Sequence, residues 1–424
     1  MNKTAPVPVP PLNPEFSVSA TNDNNMSLEV GVSQNKKFNR HFDRLLSEIW
    51  FSTEEESIKP ENVEKTKQAF RKFLKNMGWP EAAFSFEELL LEKTGEFEFR
   101  ADGKTPNWYH EFRESLWALN FVRHGLISER DINGYGGTRA LVAIILRHDS
   151  GEDLGNLPDS IAQKLQSHIR TLHPPLSNHR IEKMDMRIDS IRVGIDLLTR
   201  KIPVLDADGN FVRKENGKIK KEDRFGGDVL VYYSNVLQHP FAAFGKLLDG
   251  IEGMVTRVGV KAFSVEDDKE YANERRMLYG RQPFEADAIG LYPFLKKAIK
   301  SADSMLGISL VMMETLNDFA PGSKNKPSNA RKMSIERYLE HGLNGFEGLP
   351  PAFHPIQIKM GRMIAKAKRE NDGRVAKIIE RAFLPALIDI FPNLRIYNDF
   401  SGLLTGQEST PTLPNGGVYA PNMR

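Results

Sequence analysis

Apolar residues recur at helical spacing over most of this chain. Positions 37–51 (KFNRHFDRLLSEIWF), 61–77, 84–93 and 107–123 each gather an apolar stripe when wound at about 3.6 residues per turn. In 107–123 the stripe is Trp108, Phe112, Leu116 and Leu119. The same period predicts helices over 138–149, 176–200 (Ile181, Met184, Ile188, Ile191, Val193, Ile195), 228–257, 267–281 and 283–301. Further helices are predicted over 303–318, 332–343, 354–371 and 373–391. Strand-like alternation is confined to IPVLDADGNFVRKENGKIKKED at 202–223. Asp208-Gly209-Asn210 and Glu215-Asn216-Gly217 are turn signals there, so the segment reads as a surface hairpin between helices. The pattern predicts an all-α chain, a helical bundle with one small inserted β-hairpin.

The ends lack this period. Residues 1–35, rich in Pro, Asn, Ser and Val, read as a disordered tail, and so do residues 401–424. APGSKNKPSNA near 320–330 breaks the helical pattern. The expected division is a bundle domain over 36–305 and a helical extension over 306–400.

Composition narrows the function classes. With 58 Lys+Arg against 56 Asp+Glu, the net charge of +2 provides no field that favours nucleic acid or an anionic membrane. The apolar run LVAIIL is too short to cross a bilayer, and MNKTAPVPVPPLNPEF lacks the apolar core of a secretory leader. There is no cysteine, which excludes disulfides, thiolate metal sites and thiol nucleophiles. A metal could be held only by His, Asp, Glu or backbone oxygen. The expectation is a soluble cytoplasmic protein with a small-molecule partner, its homo-oligomeric state left open.

One stretch carries candidate chemistry. The apolar helix RALVAIILRHD ends in His148-Asp149, and Glu152-Asp153 come just beyond Gly151, which reads as a hinge. Three carboxylates beside one imidazole repel one another, and a divalent cation would offset that repulsion. Such donors suit Mn²⁺, Fe²⁺, Zn²⁺ or Mg²⁺. His110 on a preceding helix and Asp249 in FGKLLDGIEGM could converge on the pair within a bundle. Each residue also has a plainer role. His148 would favour a helix C-terminus, Asp249 could be a solvated partner of Lys246, and Glu152-Asp153 could be an N-terminal cap for the chain beyond them. GYGG at 134–137 lacks the Lys-Ser/Thr of a phosphate loop and reads as a flexible link above the site, a lid. KMGRMIAKAKRE at 359–370 reads as a solvated helix face.

Four segments, in order, resemble the HD hydrolase domain of the RelA/SpoT family. RADGKTPNWYH (100–110) is similar to R-K-S-G-x-P-Y-x-x-H with one extra residue, and HDSGED (148–153) to H-D-x-x-E-D-T. VGIDLLTRK (193–201) is similar to V-x-x-L-V-D-G-V-T-K, and KLLDGIEGM (246–254) to K-L-A-D-R-L-H-N-M. The resemblance implies an HD-domain bundle that removes the 3′-pyrophosphate of (p)ppGpp with Mn²⁺, in the stringent response. It implies His110, His148, Asp149 and Asp249 as metal ligands, and Glu152 and Asp153 as the pair that orients and deprotonates water. Arg100 would face the nucleotide and Lys246 would support the site. The chain departs from the family at Ala101-Asp102, Leu154 and Glu252-Gly253, and carries an inserted GYGGT. The alternatives are therefore hydrolysis of another nucleotide, or an inactive nucleotide-binding module. No synthetase half is recognisable.

Overall fold

The computed structural model describes residues 27–100, 103–155, 158–172, 178–215, 217–257, 265–280, 283–318 and 345–369, with eight single positions between 333 and 383. Residues 1–26 and 401–424 of the two expected tails lie outside these residues, as do Ala101-Asp102, the break at 320–330 and most of the 332–343 and 373–391 helices.

The fold is all-α apart from one small sheet, as the periodicity predicts. The first helices are α1 (Ser27–Glu48), α2 (Glu54–Ser57), α3 (Pro60–Met77) and α4 (Pro80–Glu92). Local signals fix their ends. α3 opens on Pro60 and closes on Gly78 at φ 70°, whose N–H reaches back to the Leu74 and Lys75 carbonyls. α1 starts at Ser27, inside the stretch assigned to the tail.

The centre is built by α5 (Tyr109–Arg123) and α7 (Gly137–Arg147), with the short α6 (Glu129–Ile132) between them. α7 packs against α4, α5, α10 (Asn178–Leu198) and α12 (Pro240–Arg257). Every residue of α7 except Arg139 is buried. α5 is buried on all faces from Tyr109 to Val122, not on one stripe. Two of its polar side chains are met by distant chain: Trp117 Nε1 donates to the Phe353 carbonyl at 2.9 Å, and Asn120 Nδ2 to those of Gly345 (2.6 Å) and Glu347 (3.0 Å). These bonds tie the 345–354 segment and α16 (Pro355–Arg369) into the same core.

Elsewhere α8 (Ser150–Leu154) precedes α9 (Pro158–Leu172), a helix not among those predicted above. The predicted 228–257 helix is broken at His239-Pro240 into α11 (Val229–Val236) and α12, because proline disfavours helical backbone before it. After α13 (Val265–Arg276) and α14 (Ala288–Leu291), the two helices predicted over 283–318 merge from Lys296 into one, α15 (Lys296–Asp318). It runs unbroken across the boundary placed at 305/306.

The insertion is a compact meander. β1 (Lys201–Pro203) pairs antiparallel with β2 (Lys221–Asp223), Ile202 opposite Glu222. Between them the chain doubles back twice, at Gly209 (φ 81°) and Gly217 (φ 79°). Leu205 bridges to Phe211, and Arg213 to Ile219. Among the described residues no helix is long and apolar enough to cross a membrane.

Candidate metal centre

α7 ends at Arg147, and His148-Asp149 form the elbow into α8. Glu92 on α4 clamps both sides of it. Its Oε1 accepts from Arg147 Nη2 at 2.7 Å and its Oε2 from Ser150 Oγ at 2.8 Å. Gly151 is not a hinge. It lies inside α8, where a Cβ would meet the Thr199 hydroxyl at 2.5 Å, so glycine lets α10 approach.

The elbow aims His148 into the core. Its Nδ1 donates to the Ile145 carbonyl at 2.8 Å, which makes Nε2, 3.1 Å from Asp149 Oδ1, the nitrogen that faces the cluster. His110, one residue into α5, sets its Nε2 at 3.2 Å from Glu114 Oε1 and 3.6 Å from both Asp149 Oδ2 and Asp249 Oδ1. The two imidazoles lie 5.2 Å apart. Asp249 comes from α12. Its Oδ2 takes Lys246 Nζ at 2.6 Å and faces Arg275 Nη2 at 3.6 Å, which leaves Oδ1 for the cluster.

Donor atoms of His110, Glu114, His148 and Asp249 all lie within 4.8 Å of one another, a group that could hold a metal ion. Asp149 is not in that tightest set. It borders it from the more open side, its side chain 29% exposed against 4% for both histidines. Glu114 is the member that the sequence does not announce. Its one sequence signal is its place a helical turn after His110.

The electrostatics match an incomplete shell. Both oxygens of Glu114 and Nε2 of His148 are buried without a hydrogen-bond partner among the described residues. Burial, with Asp249 and Asp149 nearby, pushes the Glu114 carboxyl well above its ordinary value. Burial and the Arg100 charge press His110 well below the histidine value. Burial also opposes charge on His148, but Asp149, Asp249 and Glu111 outweigh it and hold its pKa up. Burial likewise opposes charge on Asp249, where Lys246 and Arg275 win and keep the carboxyl far below the usual range. Unpartnered buried donors of this kind are costly, and a divalent cation satisfies them together. Two imidazoles with hard carboxylates accommodate several such metals.

Glu152 and Asp153 lie outside the tight donor set. Glu152 Oε1 accepts from the backbone N–H of Arg200 (2.9 Å) and Lys201 (3.3 Å), and burial raises its pKa. Asp153 is paired with Lys93 and with Lys221 Nζ at 3.0 Å. Burial opposes its charge, but the two lysines hold its pKa below the ordinary value. Lys93 Nζ also stands 3.2 Å from Glu111 Oε1. Arg100 Nη2 donates to Thr256 Oγ1 at 3.3 Å. Lys246 is committed to Asp249 and lies over the Tyr232 ring at 5.7 Å.

Two expectations about the surroundings change. Gly134–Gly137 is no lid: it leads into the N-terminus of α7, and His148 lies past the other end. Glu252, one of the departures from the family resembled, is fully buried rather than facing a substrate, 3.5 Å from Arg113 Nε. No protein-family model matches this chain, and neither a curated protein nor a solved structure matches it.

Proposed function

We propose that this protein is a metal-dependent phosphohydrolase of the HD type that acts on a nucleotide pyrophosphate, with the 3′-pyrophosphate of ppGpp as the leading substrate. One observation carries the hydrolase reading. Two helices, α5 and α12, and the α7–α8 elbow deliver His110, Glu114, His148 and Asp249 to one buried point, with Asp149 at its open edge and donor atoms left unpartnered. The choice of ppGpp rests on the four ordered sequence segments, and Mn²⁺ rests on the same resemblance.

His110, His148, Asp149 and Asp249 would hold the metal, with Glu114 joining them. A divalent cation at such a site lowers the pKa of water and neutralises phosphate charge. The chain supplies the rest. Lys246 and Arg275 keep Asp249 anionic, and Ile145 keeps His148 Nε2 turned inward. Glu152, its proton affinity raised by burial, takes the proton of the attacking water. Asp153, held anionic by two lysines, fixes the adjoining turn. Water adds to phosphorus, the bond to the ribose 3′ oxygen breaks, and that oxygen leaves with a proton as pyrophosphate is released. Such nucleotides belong to a cytoplasmic setting, with which the cysteine-free composition agrees.

The test is purified protein with ppGpp and Mn²⁺, alongside a panel of (d)NTPs and alternative divalent metals. Pyrophosphate release from ppGpp, lost in His148→Ala, is the expected result. No turnover of any nucleotide with any metal sinks the reading. The burial of Glu252 against Arg113 favours a second one, since this position carries His in the family resembled. Preferential release of phosphate or triphosphate from a (d)NTP would select it.

A further inference from the structure

A cavity of about 570 Å³ opens at the other end of α7, lined from α1, α3, α5, α6, α7 and α10. Eleven residues separate it from the His148 elbow, roughly 16 Å of helix. Five cations line it, Lys37, Arg130, Arg139, Lys183 and Arg187, against one carboxylate, Glu129. Most basic surface residues are simply solvated, but Arg139 is not of that kind. It is drawn in from solvent, and no hydrogen bond or ion pair joins it to a described residue. Burial and the Arg187 charge both oppose charge on Arg139, and the nearby Glu81, itself paired with Arg187, and Glu129 offset them only in part. Two arginines held together against their own repulsion leave an anion's place between them. The close approach is built in: a Cβ on Gly136, at φ 94°, would meet Arg187 Cγ at 2.7 Å. The end of α7 is not itself the attraction, because Glu129 already accepts from the Thr138 N–H and hydroxyl.

Part of the lining is apolar. Phe38 and Trp79 belong to it, stacked at 6.2 Å between ring centroids. A basic rim, an aromatic wall and a volume in the range of small-molecule sites define the ligand chemistry. We propose that this cavity is a second ligand site, remote from the metal centre, that takes a phosphorylated compound with a flat apolar body, a nucleoside polyphosphate. Phosphate would sit between Arg139 and Arg187, displacing the Glu129 carboxylate, and the base against the aromatic wall. The inference does not rest on the hydrolase reading.

Titration calorimetry of the full chain in EDTA, with inorganic pyrophosphate and with GTP as separate probes, tests it. Both should bind, GTP the more tightly. Arg139→Gln should weaken both about tenfold or more, the usual worth of a charge-assisted hydrogen bond. Lys183→Gln, on the exposed rim where folding is not at stake, should weaken them several-fold. Glu129→Gln should tighten both, which a merely structural role would not produce. His148→Ala should change nothing. The site is refuted if neither probe binds at millimolar concentration. It is equally refuted if binding survives Arg139→Gln and Lys183→Gln in folded protein, or disappears in His148→Ala. GTP binding no tighter than pyrophosphate would overturn the nucleoside assignment.

Discussion

Glu114 and Asp153 are both carboxylates drawn in near the α7–α8 elbow, yet the fold treats them in opposite ways. Asp153 is met by two ammonium groups, from Lys93 and Lys221, and its pKa drops against the cost of burial. Glu114 has two imidazoles within 3.8 Å but no hydrogen-bond donor for either oxygen, and its pKa rises. The contrast separates a ligand set from a structural pair better than the number of acidic residues does. A carboxylate with both oxygens held by lysines, like Asp153, has little left to offer a cation, whereas Asp249 keeps Oδ1 for the cluster and Glu114, buried without a partner, needs something from outside.

The sharpest way to break the comparison is to remove Asp249. It is the one ligand that two cations of the protein already hold ionised. Asp249→Ala should abolish metal binding, read as loss of the rise in Tm that Mn²⁺ gives the wild type. That rise corresponds to about 2.7 kcal/mol at a metal concentration of ~100 Kd. Hydrolysis should fall on the order of a thousandfold, since the metal supplies several kcal/mol of charge stabilisation. A Tm response to Mn²⁺ retained in the variant would mean that the ion binds elsewhere.

Lys93 tests the other side. Its ammonium serves Glu111 and Asp153 together, with the Lys93 side chain only 4% exposed. Lys93→Met strands Glu111, leaves Asp153 with Lys221 alone, and should cost ~3–5 kcal/mol in urea unfolding. Adding Asp153→Asn should recover part of the loss. A change under ~1 kcal/mol would show that the pair is solvated and that the contrast with Glu114 is false.

Glu152 lies between the two behaviours, with one oxygen satisfied by backbone N–H groups and its pKa raised. Glu152→Gln keeps an acceptor for Arg200 and Lys201, so stability should change by less than ~1 kcal/mol. If it is the base, kcat should fall about a hundredfold while metal affinity holds. An unchanged kcat would leave it as an anchor for the meander alone.

How far this was legible in the sequence depends on where each signal originates. α7 and its terminal His148-Asp149 were legible because an apolar run leading into clustered charge is local. Asp249 was legible through its segment. α9 carries the same kind of signal, Ile161, Leu165 and Ile169 at four-residue spacing over Pro158–Leu172, although it is not among the helices predicted above. α5 reads as amphipathic, yet the chain from 345 to 354, more than 200 positions away, covers its polar face. Glu114 was invisible for the same reason. An acidic residue on a helix reads as solvated until a distant segment is known to bury it. The meander's turns were legible because Gly209 and the Gly217 position need positive φ, whereas its contact with Glu152 through Arg200 depends on tertiary placement.

Glu114 itself gives the smallest effect, and the one whose sign discriminates best. Without metal, its buried and repelled carboxyl is a burden, so Glu114→Gln should stabilise the metal-free protein by ~1 kcal/mol. With metal it is a donor, so the same change should weaken Mn²⁺ binding about 10–100-fold. The raised pKa sets the pH dependence. Below it Glu114 carries a proton that must leave before it can ligate, and His148, also raised, must lose one too. Metal affinity therefore rises with pH, from above the ordinary carboxyl value of 4.5 through the ordinary histidine value of 6.5, and binding releases protons. Calorimetry in buffers of different ionisation enthalpy counts those protons. Glu114→Gln should release fewer and flatten the lower part of the curve. A variant that binds Mn²⁺ as tightly as wild type with the same proton release would remove Glu114 from the ligand set and leave His110, His148, Asp149 and Asp249 to hold the metal alone.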